Sequence, residues 1–224
     1  MRKVHIPSIM SFIMSFAGGF LCFIAIQEMR VSAGASQVPV SVNLADLELG
    51  APAPNKNLQL GEHLALFPTF IGQAKMDSDY KARPDDRLMH AYYPIISMEH
   101  PEFERAQTNG IVTSFAVLVR TSQFFLASDI PQSPKVVSNV YGLTQPAADV
   151  LTAEEWKYFA NQFPNVPLEK VIVLQEGRRP MAKKTSSKVL AIGLGIFTIG
   201  ILWLMAVFRS HHPSNKFPSR GLHE

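Results

Sequence analysis

The sequence predicts an α+β protein in which two transmembrane helices flank a small, β-rich domain carrying one amphipathic helix. Three observations predict it. Two charge-free apolar blocks lie near the ends of the 224-residue chain. Between them run short segments of period-two, β-branched and aromatic character. A single segment of helical period with its own cap follows most of those runs.

The first block, residues 6–26, holds 21 residues without a charge, and at 1.5 Å rise per residue such a helix crosses a hydrocarbon core of roughly 30 Å. The second, residues 189–208, holds 20. In lipid the backbone must satisfy its own polar groups, so both are read as helices. Trp203, near the far end of the second block, suits a membrane interface. A cleavable signal is the alternative for the first block, but its apolar run exceeds the roughly 7–15 residues of a signal core, so it is read as a retained anchor. Ser11, Ser15 and Gly19 recur every four residues on the first helix, as do Ala191 and Gly195 on the second. Small residues so spaced predict close helix packing, within the chain or between copies. Neither block carries an ionisable residue, which argues against a proton or ion pathway.

The formal net charge of +3 conceals a division. Residues 31–177 carry 16 acidic and 10 basic side chains, a net of −6. A nucleic-acid reader needs positive charge on its folded surface, so nucleic acid is not an expected partner. The excess cations gather in the juxtamembrane segment 178–188, at Arg178, Arg179, Lys183, Lys184 and Lys188. That placement predicts contact with anionic lipid headgroups. Arg2 and Lys3 precede the first span, which puts residues 1–5 in the cytoplasm, returns the tail 209–224 there, and leaves the domain extracytoplasmic on a plasma or inner membrane. The second span alone argues the other way, with five cations before it and three after. The first helix is given the greater weight, because long translocated loops are insensitive to their own charge. The sole cysteine, Cys22, lies in the first span, so the domain has no disulfide and no thiolate ligand.

A Ser/Ala/Gly-rich linker, residues 31–38, leads into the domain, residues 39–177. A short strand over 39–42 opens it, and turn residues follow at 51–55. Leu58, Leu60, Leu64 and Leu66 share one parity, predicting a half-buried strand over 58–66 with Gly61 at a bulge. A charged loop covers 75–87. Residues 88–97 predict a strand whose Pro94 favours a sheet edge or strand end. Residues 111–120 give the strongest strand signal, and 136–141 a further one ending at Gly142. The run 171–174 suits a strand buried on both faces. The helix is expected over 153–163: Thr152 and Glu155 make a capping box, Leu151 is placed to staple Trp156, and Pro164 stops the helix. Its buried stripe is Trp156, Phe159, Ala160 and Phe163. Strands with one late helix suit a partly open, OB-like barrel.

Chemistry-bearing constellations are sparse. His63, His90 and the neighbouring Glu62 offer a metal site if their strands pair, but their spacing matches no established ligand motif. His100, Glu99 and Glu102 lie nearby in sequence. Asp77, Asp79, Asp85 and Asp86 lack the glycine and closing glutamate of a calcium loop. No G-x-S-x-G elbow occurs, and the glycines at 193 and 195 lie inside an apolar span, not in a phosphate loop. No catalytic residue and no cofactor is predicted. The expected function is therefore non-enzymatic: a membrane-anchored domain acting as a protein-binding scaffold or an assembly factor of a membrane complex. A membrane-bound metal protein or enzyme using His63 and His90, and a lipid-surface binder using 178–188, are the alternatives. The layout of span, β-rich domain and span resembles that of oxidase-assembly factors. The resemblance is of layout alone, with no shared motif, and layout does not determine function.

Overall fold

The computed structural model describes residues 6–74 and 87–211. Residues 1–5, the charged loop bearing Asp77, Asp79, Asp85 and Asp86, and the tail beyond His211 lie outside the described residues. In chain order the elements begin with α1 (Ile6–Ser32), β1 (Val40–Val42), α2 (Leu44–Glu48), β2 (Asn57–Leu60), β3 (His63–Ala65), β4 (Ile71–Ala74), β5 (Leu88–Ser97) and α3 (Phe103–Asn109). They continue with β6 (Val117–Thr121), β7 (Lys135–Val137), β8 (Val140–Pro146), α4 (Ala147–Val150), α5 (Ala153–Gln162), β9 (Ile172–Glu176) and α6 (Lys183–His211). They form two units, residues Val31–Pro180 and the pair of terminal helices.

The central unit is a mixed α/β domain on one nine-stranded sheet ordered β1-β2-β8-β9-β6-β5-β3-β7, with β4 added to β5. Its curl follows from chain connectivity. Strands β2 and β3 are separated by four others in that order, yet only Gly61 and Glu62 join them. A flat sheet would hold them roughly 24 Å apart at about 4.8 Å per strand. Two linking residues reach only about 11 Å. The sheet therefore bends into a half-barrel. The run 58–66, expected as one strand, is two, and Gly61 is the corner between them. Leu58 and Leu60 face one apolar cluster while Leu64 and Leu66 face the other.

The concave face gathers Leu58, Leu60, Ala65, Tyr93, Ile95, Val117, Val119 and Leu174 from five strands, and Leu44 and Leu47 of α2 pack against them. The outer face carries Leu64, Tyr92, Ile96, Leu118 and Val173 under α3, α4 and α5 through Ala106, Ala147 and Phe159. Burying each Leu, Ile, Val or Phe side chain among them contributes roughly 1.5–3 kcal/mol. The helix α5 stands between the eighth and ninth strands, whereas an OB-type barrel has five strands with its helix after the third.

Strand β5 runs as expected, but it is central, with β6 on one side and β4 and β3 on the other. Pro94 fits there because β4 ends its pairing at Tyr92 and β3 begins at Ile95. The carbonyl of Pro94 accepts from Leu66 N at 3.0 Å, so its nitrogen points to the same side, into the gap between the two partners. The 111–120 signal shortens to β6, and 136–141 splits into β7 and β8, the latter running on to Pro146. Gly142 is no strand end. A Cβ there would fall on the Gln175 carbonyl of β9. The α3 helix, closed by Gly110 at φ 72°, was not signalled by periodicity.

The terminal unit pairs α1 and α6 antiparallel. Both helices are long and apolar enough to cross a membrane, with spans at Ile9–Ser32 and Lys183–Arg209. Buried small residues fall every seventh position: Ser11, Gly18 and Ala25 on α1, Ser186, Gly193 and Gly200 on α6. Seven residues are close to two turns, so each set forms one seam along its helix. The approach is tight. A Cβ on Gly18 would lie 2.7 Å from Phe197 Cα and 2.8 Å from Gly193 O.

Candidate functional sites

Alternation along β5 places His90 and Tyr92 on the outer face, and the β5–β6 register sets Arg120 opposite Tyr92. The first turn of α5 descends on this pair. The capping box forms as the sequence requires: Glu155 N donates to Thr152 Oγ1 at 3.2 Å, and Thr152 N donates to Glu155 Oε2 at 2.8 Å. The other carboxylate oxygen, Oε1, lies 3.4 Å from His90 Nε2, while Arg120 Nη2 lies 3.1 Å from His90 Nδ1. Guanidinium only donates, so Nδ1 accepts, and the protonated Nε2 donates to Glu155 Oε1. The result is a chain from guanidinium through neutral imidazole to carboxylate.

Burial alone would raise the Glu155 carboxyl, but the bonds from His90 and Thr152 outweigh it and hold it below its usual 4.5. The Tyr92 hydroxyl is pushed up to about 12 by burial and then by the Glu155 charge, against the opposing Arg120. Both imidazole nitrogens are engaged, and the carboxylate already accepts from two partners. This chain latches α5 to the sheet. It offers no free base. Sequence reasoning found Glu155 as a cap but missed Arg120. The available signal was a charge at the end of the apolar run Val117–Val119.

A groove of about 540 Å³ lies elsewhere on the domain, lined by Leu47, Glu48, His100, Ser114, Phe115 and Lys170 among others. His100 Nδ1 accepts from Glu102 N at 3.2 Å, which leaves the proton on Nε2, 3.4 Å from Ser114 Oγ. That tautomer cannot take the serine proton, so the pair is not an activated nucleophile in this arrangement. The Glu48 carboxylate is committed to Ser97 N at 2.8 Å and Ser97 Oγ at 2.5 Å.

The structure does not bring His63 and His90 together. His63 pairs with Ser97, seven residues along β5 from His90, or roughly 23 Å. Seven is odd, so the two rings also stand on opposite faces of the sheet. Glu62 is exposed beside the corner. Among the described residues no group of three or more His, Cys, Asp or Glu side chains is arranged to hold a metal ion. His63 Nδ1 donates to Gly61 O at 2.7 Å, while Nε2 is buried without a hydrogen-bond partner among the described residues. Burial, partly offset by the Gly61 bond, lowers its pKa from 6.5.

Of the residues expected to pack the helices, Ser11 and Ser15 lie in the seam, since a Cβ on Gly200 would stand 2.7 Å from Ser15 N. Gly19 reaches only the Phe197 ring at 3.7 Å, Ala191 is exposed, and a Cβ on Gly195 meets nothing within 4 Å. Gly18, Gly193 and Gly200 make the close contacts instead, at a spacing of seven and not four. Of the cations, Arg178 Nη1 donates to Gln175 Oε1 at 2.5 Å and the Arg179 guanidinium lies 5.9 Å from the Tyr141 ring centre. Lys183, Lys184 and Lys188 are exposed on the first two turns of α6.

Together these features define a mixed α/β domain on a curled sheet, in a chain with two apolar helices of membrane-crossing length. No family model matches the chain, and no curated protein or solved structure is significantly similar to it.

Proposed function

We propose that the chain is a two-pass membrane protein whose extracytoplasmic domain serves as a protein-binding scaffold or an assembly factor of a membrane complex. One observation carries the membrane part. The helices α1 and α6 bury small residues against each other and turn their large apolar ones outward. Phe12, Phe16, Phe20 and Phe23 on α1 are 56–70% exposed, and Ile192, Ile199 and Leu202 on α6 are 55–58% exposed. In water that surface would cost about 25 cal/mol per Å², whereas hydrocarbon solvates it.

The accessory role is supported by the fate of the domain's polar groups. Among the described residues, two constellations able to do acid–base work are spent on internal bonds, one latching α5 and the other holding its imidazole in the unreactive tautomer. A surface that binds a protein needs neither group free. Two anchors hold the domain close to the bilayer, where a partner of the same membrane would meet it.

Carbonate washing of membranes tests the first part: the chain stays in the pellet until detergent is added. Protease protection tests the side, with the domain digested only from the extracytoplasmic face. Affinity purification in mild detergent tests the role. Recovery of the chain with no stoichiometric protein partner, across several detergents, would remove the scaffold reading.

A further inference from the structure

The seam between α1 and α6 also settles which face of α6 looks away from its neighbour, and that face begins with lysines. At 100° per residue, Lys184 and Lys188 stand about 160° to either side of Ser186, the buried residue facing α1. Continuing the same outward line are Ala191 and Gly195, both exposed, then Ile199 and Leu202 at 55% and 56% exposure. Because Ala191 and Gly195 are small and a Cβ on Gly195 meets nothing within 4 Å, the line is a shallow trough there. Ile192 and Leu194, 58% and 51% exposed, form its walls. The whole stretch 178–208 contains no aspartate or glutamate, so α6 supplies no counter-charge of its own.

We infer that this outward face of α6 is a binding site for an anionic phospholipid, with the headgroup phosphate between Lys184 and Lys188 and an acyl chain along the Ala191–Gly195 trough. Charge complementarity selects the headgroup. Two flexible ammonium groups one turn apart present six donors to a phosphate, and their stems lie along apolar surface while their tips reach the headgroup layer. The trough selects the tail, since the missing side chains leave room for methylene groups between two branched walls. Lys183, about 60° from Ser186, stands off this line and adds only general attraction. The inference rests on α6 lying in a bilayer, as proposed above.

The full chain, reconstituted in nanodiscs of equal phosphatidylglycerol and phosphatidylcholine and released into native mass spectrometry, provides the test. The expected result is retained phosphatidylglycerol on the monomer, in preference to phosphatidylcholine. Each lysine near an anionic surface is worth roughly fivefold, so Lys184→Gln/Lys188→Gln lowers the preference by about 25-fold or more, and Lys183→Gln by no more than about fivefold. Gly195→Leu fills the trough and weakens retention of both lipids without touching the charges. Undiminished preference in the double glutamine variant overturns the inference. So does a lipid-free dimer dissociated by Gly195→Leu, which would give this face to a second copy of the chain. A chain extracted by carbonate sinks the membrane reading itself, whereas a chain that stays in the bilayer without lipid preference sinks only the present inference.

Discussion

The hydroxyl of Ser11 donates to the carbonyl oxygen of Gly200 at 2.7 Å, joining residues 189 positions apart. Such a bond needs two helix backbones nearly in contact, and the seven-residue seam of Ser11, Gly18 and Ala25 against Ser186, Gly193 and Gly200 supplies that approach.

The seam makes two glycines of α1 and α6 unequal. Gly18→Ala places a methyl group on the backbone of Phe197 and forces the helices apart, at an expected cost of about 1–3 kcal/mol. Gly195→Ala adds a methyl into open space and leaves the pairing intact. Thermal unfolding of the detergent-solubilised chain should therefore drop for the first variant and hold for the second. The opposite order would place the seam on the four-residue stripe.

The latch of α5 predicts a ranking of variants. Thr152→Ala removes the acceptor for Glu155 N and costs about 1 kcal/mol, as for other lost caps. Glu155→Ala loses the return bond and also leaves the buried Nε2–H of His90 without its acceptor, adding about 1–3 kcal/mol. Denaturant titration of both variants checks the order. Equal losses would mean that the His90 contact contributes nothing.

Acid should weaken the domain in two stages. His63 has a folded pKa below 6.5, so the unfolded chain binds its proton first, and stability falls as pH drops below about 6.5. The limiting slope is about 1.4 kcal/mol per pH unit for one proton. Glu155 has a folded pKa below 4.5, so its contribution is complete above that value and fades as pH falls toward the folded one. His63→Asn should flatten the profile below pH 6.5 while leaving the lower stage set by Glu155. Unfolding free energies measured at stepped pH would show whether the upper stage survives the substitution.

His63 and His90, on opposite faces of the sheet and roughly 23 Å apart along β5, should not share an ion. Elemental analysis of the purified chain is expected to find no stoichiometric transition metal. A metal bound one to one and lost in His63→Ala/His90→Ala would restore the metal-protein alternative.

Legibility varied with the range of the cause. The strand over 88–97 could be read end to end, because its ten residues carry their own β-branched and aromatic signal. Its Pro94, expected at a sheet edge or a strand end, lies mid-strand, where the gap between β4 and β3 accommodates it. The leucines of 58–66 kept one parity and so read as one strand, while the corner at Gly61 and Glu62 sends the halves to opposite ends of the sheet order. In α5 the expected stripe included Ala160, which is exposed, and omitted Glu155, which is buried by its contact with His90.

The amino-acid order alone determined that an apolar block of membrane-crossing length lies near each end, that a mixed α/β domain lies between them, and how α5 is capped. Each depends on residues within a few positions of one another. Tertiary structure alone decided the seam at Gly18, Gly193 and Gly200, the curl of the sheet and the partners of His90. Periodicity reports that a face is buried, whereas the surface burying it comes from chain 30 to 190 residues away, and only folding brings the two into register.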